Sequence, residues 1–279
     1  MAISLDLSQR SELRLLAALV RGVRRAAEKA PFFLAGAYAR DVLLFYGHGI
    51  DTGRQTADVD LAVAVESWRR YEALRMALIG SGEFVAIPPS LHKLRYGRSL
   101  EVDFVPFGGV ERPDRTIAWP PDGSFVMHTF GFREVQAATL SVALPDATEI
   151  DVASLPALML LKLVAWSERR FAEPGKDAHD MALILRHYLD AGNAERLYTE
   201  AEALLNREDF DYEEAGAWLL GKDLAGCLDT EARGRVAAML AGEADERGPL
   251  RLAGDLRMEP ERALRLLAAL EDGFSQELR

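Results

Sequence analysis

The sequence contains a single cysteine, Cys227, among its 279 residues. That excludes an intrachain disulfide and fits a reducing compartment. Its five histidines are scattered, so no zinc-ligand spacing exists. Long apolar runs are missing too. The longest, 155–166, is interrupted by Lys162 and falls well short of the ~20 residues a membrane-spanning helix needs. Positive charge is also in short supply. With 33 Lys and Arg against 44 Asp and Glu, the net charge is -11, which argues against broad electrostatic binding to nucleic-acid backbones and against DNA in particular. A local basic groove is still allowed. Nothing reads as a targeting segment: residues 6–29 are amphipathic and carry arginines, but Asp6, Glu12 and Glu28 are wrong for a transit peptide. The expectation is a cytoplasmic protein with no membrane contact.

What is present describes a globular chain. A hydrophobic fraction of 49% beside 28% charged residues is ordinary, and the length suits one large domain or two modest ones. An amphipathic helix over 6–29, opened by Asp6 with Gln9 three places on, precedes a short apolar strand at 32–35. Gly36 breaks that strand and a helix follows over 37–45. After a glycine-marked loop comes a strand carrying Asp58 and Asp60, then a helix from Ser67 to about Leu78. Segments 93–96 and 100–105 flank Gly97-Arg98-Ser99, a hairpin signature. Residues 107–132, rich in Gly and Pro, read as a long irregular excursion. Two weak strands follow near 140–143 and 149–152. From Ser154 onward almost every segment reads as helix, including 154–171, 177–188 and 194–206. The result is an α/β (α+β) N-terminal domain, 1–150, followed by a helical C-terminal domain, 151–279.

Four features carry chemistry. Leu34-Ala35-Gly36-Ala37-Tyr38-Ala39-Arg40 is a strand, a glycine turn and a helix start. Such a turn offers free backbone N–H groups to phosphate, although as an isolated motif it is an ordinary strand-to-helix connection. Asp58 and Asp60 fall on one strand face because side chains alternate. Two like charges side by side cost stability unless a cation lies between them, and in a strand otherwise built for a core that cation is usually a divalent metal. A solvent-facing strand edge is the alternative, less consistent with the apolar remainder of the strand. Asp103, sharing a face with Glu101, would complete a site for two magnesium ions about 3.5–4 Å apart. It could also take a proton as general base. Finally, Lys162 interrupts an apolar helix face in line with Trp166 and Arg169, ahead of Lys176-Asp177-Ala178-His179-Asp180. A triphosphate would compensate its charge. So would snorkelling to solvent or a buried pair with Asp180. Asp177 reads as a helix N-cap, with Asp180 favouring the helix dipole.

In this order the features resemble the AbiEii-like group of nucleotidyltransferases, within the polymerase-β-type superfamily. The superfamily pattern is a Gly-Ser or Gly-Gly turn, a carboxylate–x–carboxylate strand and a third carboxylate on a later strand. Gly36-Ala37, Asp58-Val59-Asp60 and Asp103 stand in those places. The group's downstream lysine helix and Lys-Asp-x-x-Asp helix look like Leu161-Lys162-Leu163 and the 176–180 segment. The resemblance covers about residues 32–188. It implies a mixed sheet flanked by helices, with the helical domain contributing Lys162 and Asp180 to the site. It also implies transfer of a nucleoside monophosphate from a nucleoside triphosphate, dependent on two ions of Mg2+ or Mn2+. In that picture Asp58 and Asp60 hold both ions, and Asp103 completes one ion and helps activate the acceptor. The Gly36 turn cradles the β- and γ-phosphates, with Lys162 and Arg40 neutralising them. One departure stands out: Ala37 replaces the usual serine or glycine, so a hydroxyl contact to phosphate is lost.

The acceptor stays open at this point. RNA, such as transfer RNA in a toxin with an antitoxin partner, is one candidate; a small molecule or a protein is another. A non-catalytic nucleotide-binding or interaction protein keeping the fold is the alternative, disfavoured by the intact carboxylate trio. Arg95, Arg98, Arg112 and Arg115 could form a basic rim. Tyr96 and Trp119 could stack on a base, or serve the core and anchor a loop.

Overall fold

The computed structural model describes residues 4–53, 56, 58–173, 175–244, 248 and 250–276. The chain falls into two compact units, Met1–Val42 with Gly53–Ser154, and Leu43–Thr52 with Leu155–Arg279.

Among its described residues the first unit contains ten strands: β1 (Leu5–Asp6), β2 (Phe32–Ala35), β3 (Asp58–Val65), β4 (Phe84–Ala86), β5 (Lys93–Tyr96), β6 (Leu100–Gly108), β7 (Thr116–Ala118), β8 (Val126–His128), β9 (Thr139–Leu144) and β10 (Thr148–Ala153). Eight of them form one mixed sheet in the order β1-β9-β10-β2-β3-β6-β5-β4, while β7 and β8 pair by themselves. Its helices are α1 (Arg14–Ala27), α2 (Gly36–Asp41), α3 (Trp68–Gly80) and α4 (Phe132–Ala137). At the centre β3 runs antiparallel to β2 and parallel to β6.

The apolar run of β3 is explained by cover on both faces. Val59, Leu61 and Val63 are buried on one side with Val102 and Phe104 of β6. Tyr71 of α3 donates a hydrogen bond from its hydroxyl to the Phe104 carbonyl at 3.1 Å. The other face carries Asp60, Ala62 and Ala64 beside Asp103, Val105 and Phe107. There Phe107 and Phe33 pack against Phe132 of α4, with ring centroids 5.9 and 6.4 Å away. The strand parity that buries these aromatics brings the carboxylates to the same face, toward the other end of β3.

Two expectations are corrected in this unit. Asp6 does not open a helix: it lies in β1, paired parallel with β9, and its carboxylate accepts from the Ser8 amide at 2.9 Å. The helix proper begins at Arg14, after a tight turn at Ser11–Leu13. Nor is 107–132 irregular throughout. It holds the β7–β8 hairpin, in which Ile117 faces Met127 and the Trp119 amide donates to the Phe125 carbonyl at 2.9 Å. Trp119 anchors it, buried against Trp68 and Tyr71 of α3 at 5.2 and 5.6 Å between centroids. The strands are three residues long, too short to declare a period, and their support comes from a helix far off in sequence.

The second unit is helical: α5 (Leu155–Arg169), α6 (Lys176–His187), α7 (Leu197–Glu200), α8 (Glu202–Leu205), α9 (Tyr212–Gly226), α10 (Thr230–Ala244), α11 (Arg251–Asp255) and α12 (Pro260–Gln276). Helices α9 and α12 approach so closely that a Cβ on Gly273 would stand 1.9 Å from the Trp218 carbonyl oxygen. The continuous helix expected over 194–206 is broken, because Ala201 leaves helical geometry at φ -134° and ψ 26°. Just before the break, Arg196 is held by both Asp223 and Glu200 at 2.7 Å. At the start of α9, Arg262 of α12 spans Asp211, Glu213 and Glu214 at 2.7, 2.8 and 3.0 Å. These carboxylates hold its guanidinium firmly protonated. Arg262→Ala is expected to cost about 1–2 kcal/mol, more than an isolated surface pair because three carboxylates lose one fork. Urea denaturation measures this directly.

Candidate active site

The glycine turn and the carboxylate pair are in direct contact. Gly36 begins α2 with φ +68°, in the left-handed region that glycine occupies without strain. A Cβ added there would lie 1.9 Å from Asp60 Oδ2. The reason is register: Ala35 of β2 stands opposite Asp60 of β3, so the residue that turns the chain passes over the next side chain on that face. Only a residue without a side chain leaves space for the carboxylate.

Across β3, the parallel register with β6 sets Asp58 opposite Glu101 and Asp60 opposite Asp103. Four carboxylates therefore share one face. Asp58 and Glu101 are exposed, Asp60 and Asp103 half-buried. Asp103 has two contrasting oxygens: Oδ1 is buried with no hydrogen-bond partner, while Oδ2 lies 3.2 Å from Lys93 Nζ. Burial of Lys93 works against its charge, but the charge and hydrogen bond of Asp103, with Glu101 and Asp58 behind them, outweigh it and raise its pKa. His92, next to Lys93, is shifted the other way: burial lowers its pKa, against the pull of Asp103.

Lys93 is the site residue that sequence reasoning missed, and the signal was available. A hairpin turning at Gly97-Arg98-Ser99 pairs Tyr96 with Leu100, and counting back three places sets Lys93 opposite Asp103.

Arg40 has a partner that the sequence reading did not assign. It is buried, and its Nε and Nη2 donate to Asp41 Oδ1 at 2.9 and 2.5 Å. Asp41 in turn accepts from the Thr56 amide at 3.2 Å, tying the end of α2 to the approach of β3. Ala37 follows Gly36 in the first turn of α2, where its backbone N–H lies near the helix start and no hydroxyl exists. Trp119 and Tyr96 are both buried, Tyr96 against Phe84 at 4.9 Å, so both serve the core. Of the basic rim, Arg95 and Arg98 are exposed, whereas Arg115 is engaged by Glu134 at 3.0 Å.

In the helical unit Lys162 and Asp180 are brought together. Lys162 is buried on α5 and forms an ion pair with Asp180 of α6, with Asp177 Oδ1 3.5 Å away. Asp177 is not the N-cap: that position is Gly175, and the Asp177 carboxylate accepts from Arg169 Nε and Nη2 at 2.8 Å. Burial raises the Asp177 pKa, but Arg169 and Lys162 together hold it below the usual range. Buried carboxylates thus compensate the ammonium that interrupts this apolar face. Lys162→Met is expected to destabilise the protein by about 3 kcal/mol, because Asp180 and Asp177 stay buried after losing a shared cation. Thermal denaturation at neutral pH reads this out.

A mixed sheet, a glycine turn pressed against a carboxylate–x–carboxylate strand and a third carboxylate in register on the adjoining strand are the framework of a nucleotidyltransferase. Residues 17–274 match the family described as nucleotidyl transferase AbiEii toxin, type IV toxin–antitoxin system, and the chain belongs to that family. No curated protein matches it. Among solved structures it is similar to the antibiotic-resistance factor ANT(2'')-Ia, at 16% identity and a TM-score of 0.38, over 69% of this chain and 95% of that one. It is also similar to JHP933 from Helicobacter pylori, at 12% identity and a TM-score of 0.33, over 96% and 94% of the two chains. None of the described helices is long and apolar enough to cross a membrane.

Proposed function

We propose that this nucleotidyltransferase moves a nucleoside monophosphate from a nucleoside triphosphate to an acceptor hydroxyl or phosphate, using Mg2+ or Mn2+ held by Asp58, Asp60 and Asp103. The observation that carries this reading is the register of Asp60 with Asp103 beneath the Gly36 turn. The donor set fits the ions: carboxylate oxygens are the hard ligands such cations prefer, and Asp103 Oδ1 is a buried acceptor without a partner. Among the described residues no three Asp, Glu, His or Cys side chains already converge at ligand spacing, so ion binding would draw these carboxylates together. When bound, the ions supply charge neutralisation for the departing pyrophosphate and acidity at the attacking group.

The chain's own residues do the rest. Gly36 lets the backbone pass close to the carboxylates, and the N–H groups of the following turn face the phosphates without help from a hydroxyl at Ala37. Arg40, held by Asp41, acts by fixing α2 rather than by meeting phosphate itself. Lys162 and Asp180, given to the phosphates by the resemblance, pair with each other and with Asp177 inside the helical unit. Asp103 accepts the acceptor's proton. RNA, transfer RNA included, is the first acceptor to test, and the family's toxin–antitoxin setting supports an antitoxin as protein partner.

The test is incubation of purified protein with Mg2+ or Mn2+, each of the four α-labelled ribonucleoside triphosphates and cell extract. Covalent label that ribonuclease removes is the expected result. Label resistant to ribonuclease moves the acceptor to a protein or small molecule, and no labelled product with any triphosphate overturns the proposal.

A further inference from the structure

The acidic face already contains a cation of its own. Lys93 stands opposite Asp103 in the β5–β6 register, its ammonium 3.2 Å from Asp103 Oδ2, and the charges of Glu101 and Asp58 also act on it. The other oxygen of Asp103 is buried and has no hydrogen-bond partner. A divalent ion bound by Asp103 and an ammonium within hydrogen-bond reach of the same carboxylate would be two cations at repelling distance. They compete for one ligand.

We propose that Lys93 is a built-in counter-cation that holds the acidic face together in the ion-free protein and must release Asp103 before a divalent ion takes it. The residue thereby sets the ion concentration at which the site fills; this rests on the metal reading given above. A lysine suits the task. It is a point charge on a flexible stem, its side chain is 34% exposed, and Glu101 offers the released ammonium a second carboxylate on the same face. An arginine forked onto Asp103 would let go less readily.

Titration of Mn2+ into wild type, Lys93→Met, Lys93→Arg and Asp60→Asn, followed by calorimetry, tests the competition without any turnover. Lys93→Met is expected to bind Mn2+ roughly five- to tenfold more tightly than wild type and to melt at a lower temperature in chelator. Lys93→Arg, which keeps the charge, should show no such tightening, and Asp60→Asn should bind more weakly. Far-UV circular dichroism confirms that each variant is folded. Unchanged or weaker binding by Lys93→Met, with wild type binding Mn2+ normally, overturns the role of Lys93 and leaves the metal site intact. No Mn2+ bound by any of the four chains overturns the metal reading itself, and this inference with it.

Discussion

Asp60→Ala is expected to lower nucleotidyl transfer by about a thousandfold or more while leaving the chain folded. Removing one oxygen ligand and one negative charge takes away electrostatic stabilisation at the point where charge develops in the transition state, which is usually the largest catalytic contribution. The fold should tolerate the change. Asp60 is half-buried and shares its face with Asp58, Glu101 and Asp103, so its loss relieves repulsion as well as leaving space. The measurement pairs initial transfer rates with thermal melts in chelator. A variant that unfolds would say nothing of chemistry, and Asp60→Asn, nearly the same in shape, guards against that outcome. Wild-type rates from a folded Asp60→Ala protein would exclude Asp60 from the reaction.

Gly36→Ala adds only one methyl group, yet the expected effect is nearly as large and has two parts. At φ +68° an alanine costs about 1 kcal/mol in backbone strain. The new Cβ would also stand 1.9 Å from Asp60 Oδ2, so either the turn or the carboxylate must move. Together these should destabilise the protein by about 2–4 kcal/mol. A displacement near 1 Å at the carboxylates should reduce transfer about a hundredfold. Denaturant unfolding gives the first quantity and initial rates the second. Ala37→Gly, one position on, is the control: it relaxes the helix start without touching Asp60 and should leave activity within about threefold of wild type. Equal losses at both positions would remove the special status of Gly36.

The carboxylate face was readable because strands repeat every two residues. Asp58 and Asp60 had to share a face, and an apolar strand with two acids at its head needs a reason for them. The hairpin at Gly97-Arg98-Ser99 marked the strand that carries Asp103, while the register that sets Lys93 against it went uncounted. What the sequence did not disclose depended on partners far away in the chain. Trp119 looked like a candidate stacking surface because its burial against Trp68 and Tyr71 cannot be inferred from its Pro- and Gly-rich surroundings. Lys162 left alternatives open because an apolar helix with one lysine has the same appearance whether its counter-ion is a carboxylate or a phosphate; the pairing with Asp180 required α5 and α6 to be packed. Arg40 and Asp41 are adjacent and oppositely charged, but neighbours on a helix do not face each other as a rule. Their burial together is a tertiary fact.

The division of the chain has a consequence for how the protein is made. Residues 43–52 leave the α/β unit in mid-sequence and belong with the helices that begin at Leu155. Leu43 and Leu44, within that segment, are buried. During synthesis, these leucines emerge about a hundred residues ahead of the helices their segment is grouped with, at roughly 5–20 residues per second. For several seconds the segment therefore waits for the rest of its unit. A fragment ending near residue 154 would carry it permanently. Such a fragment is a poor isolated domain, and a chaperone or an early-binding partner would meet the nascent chain at that segment.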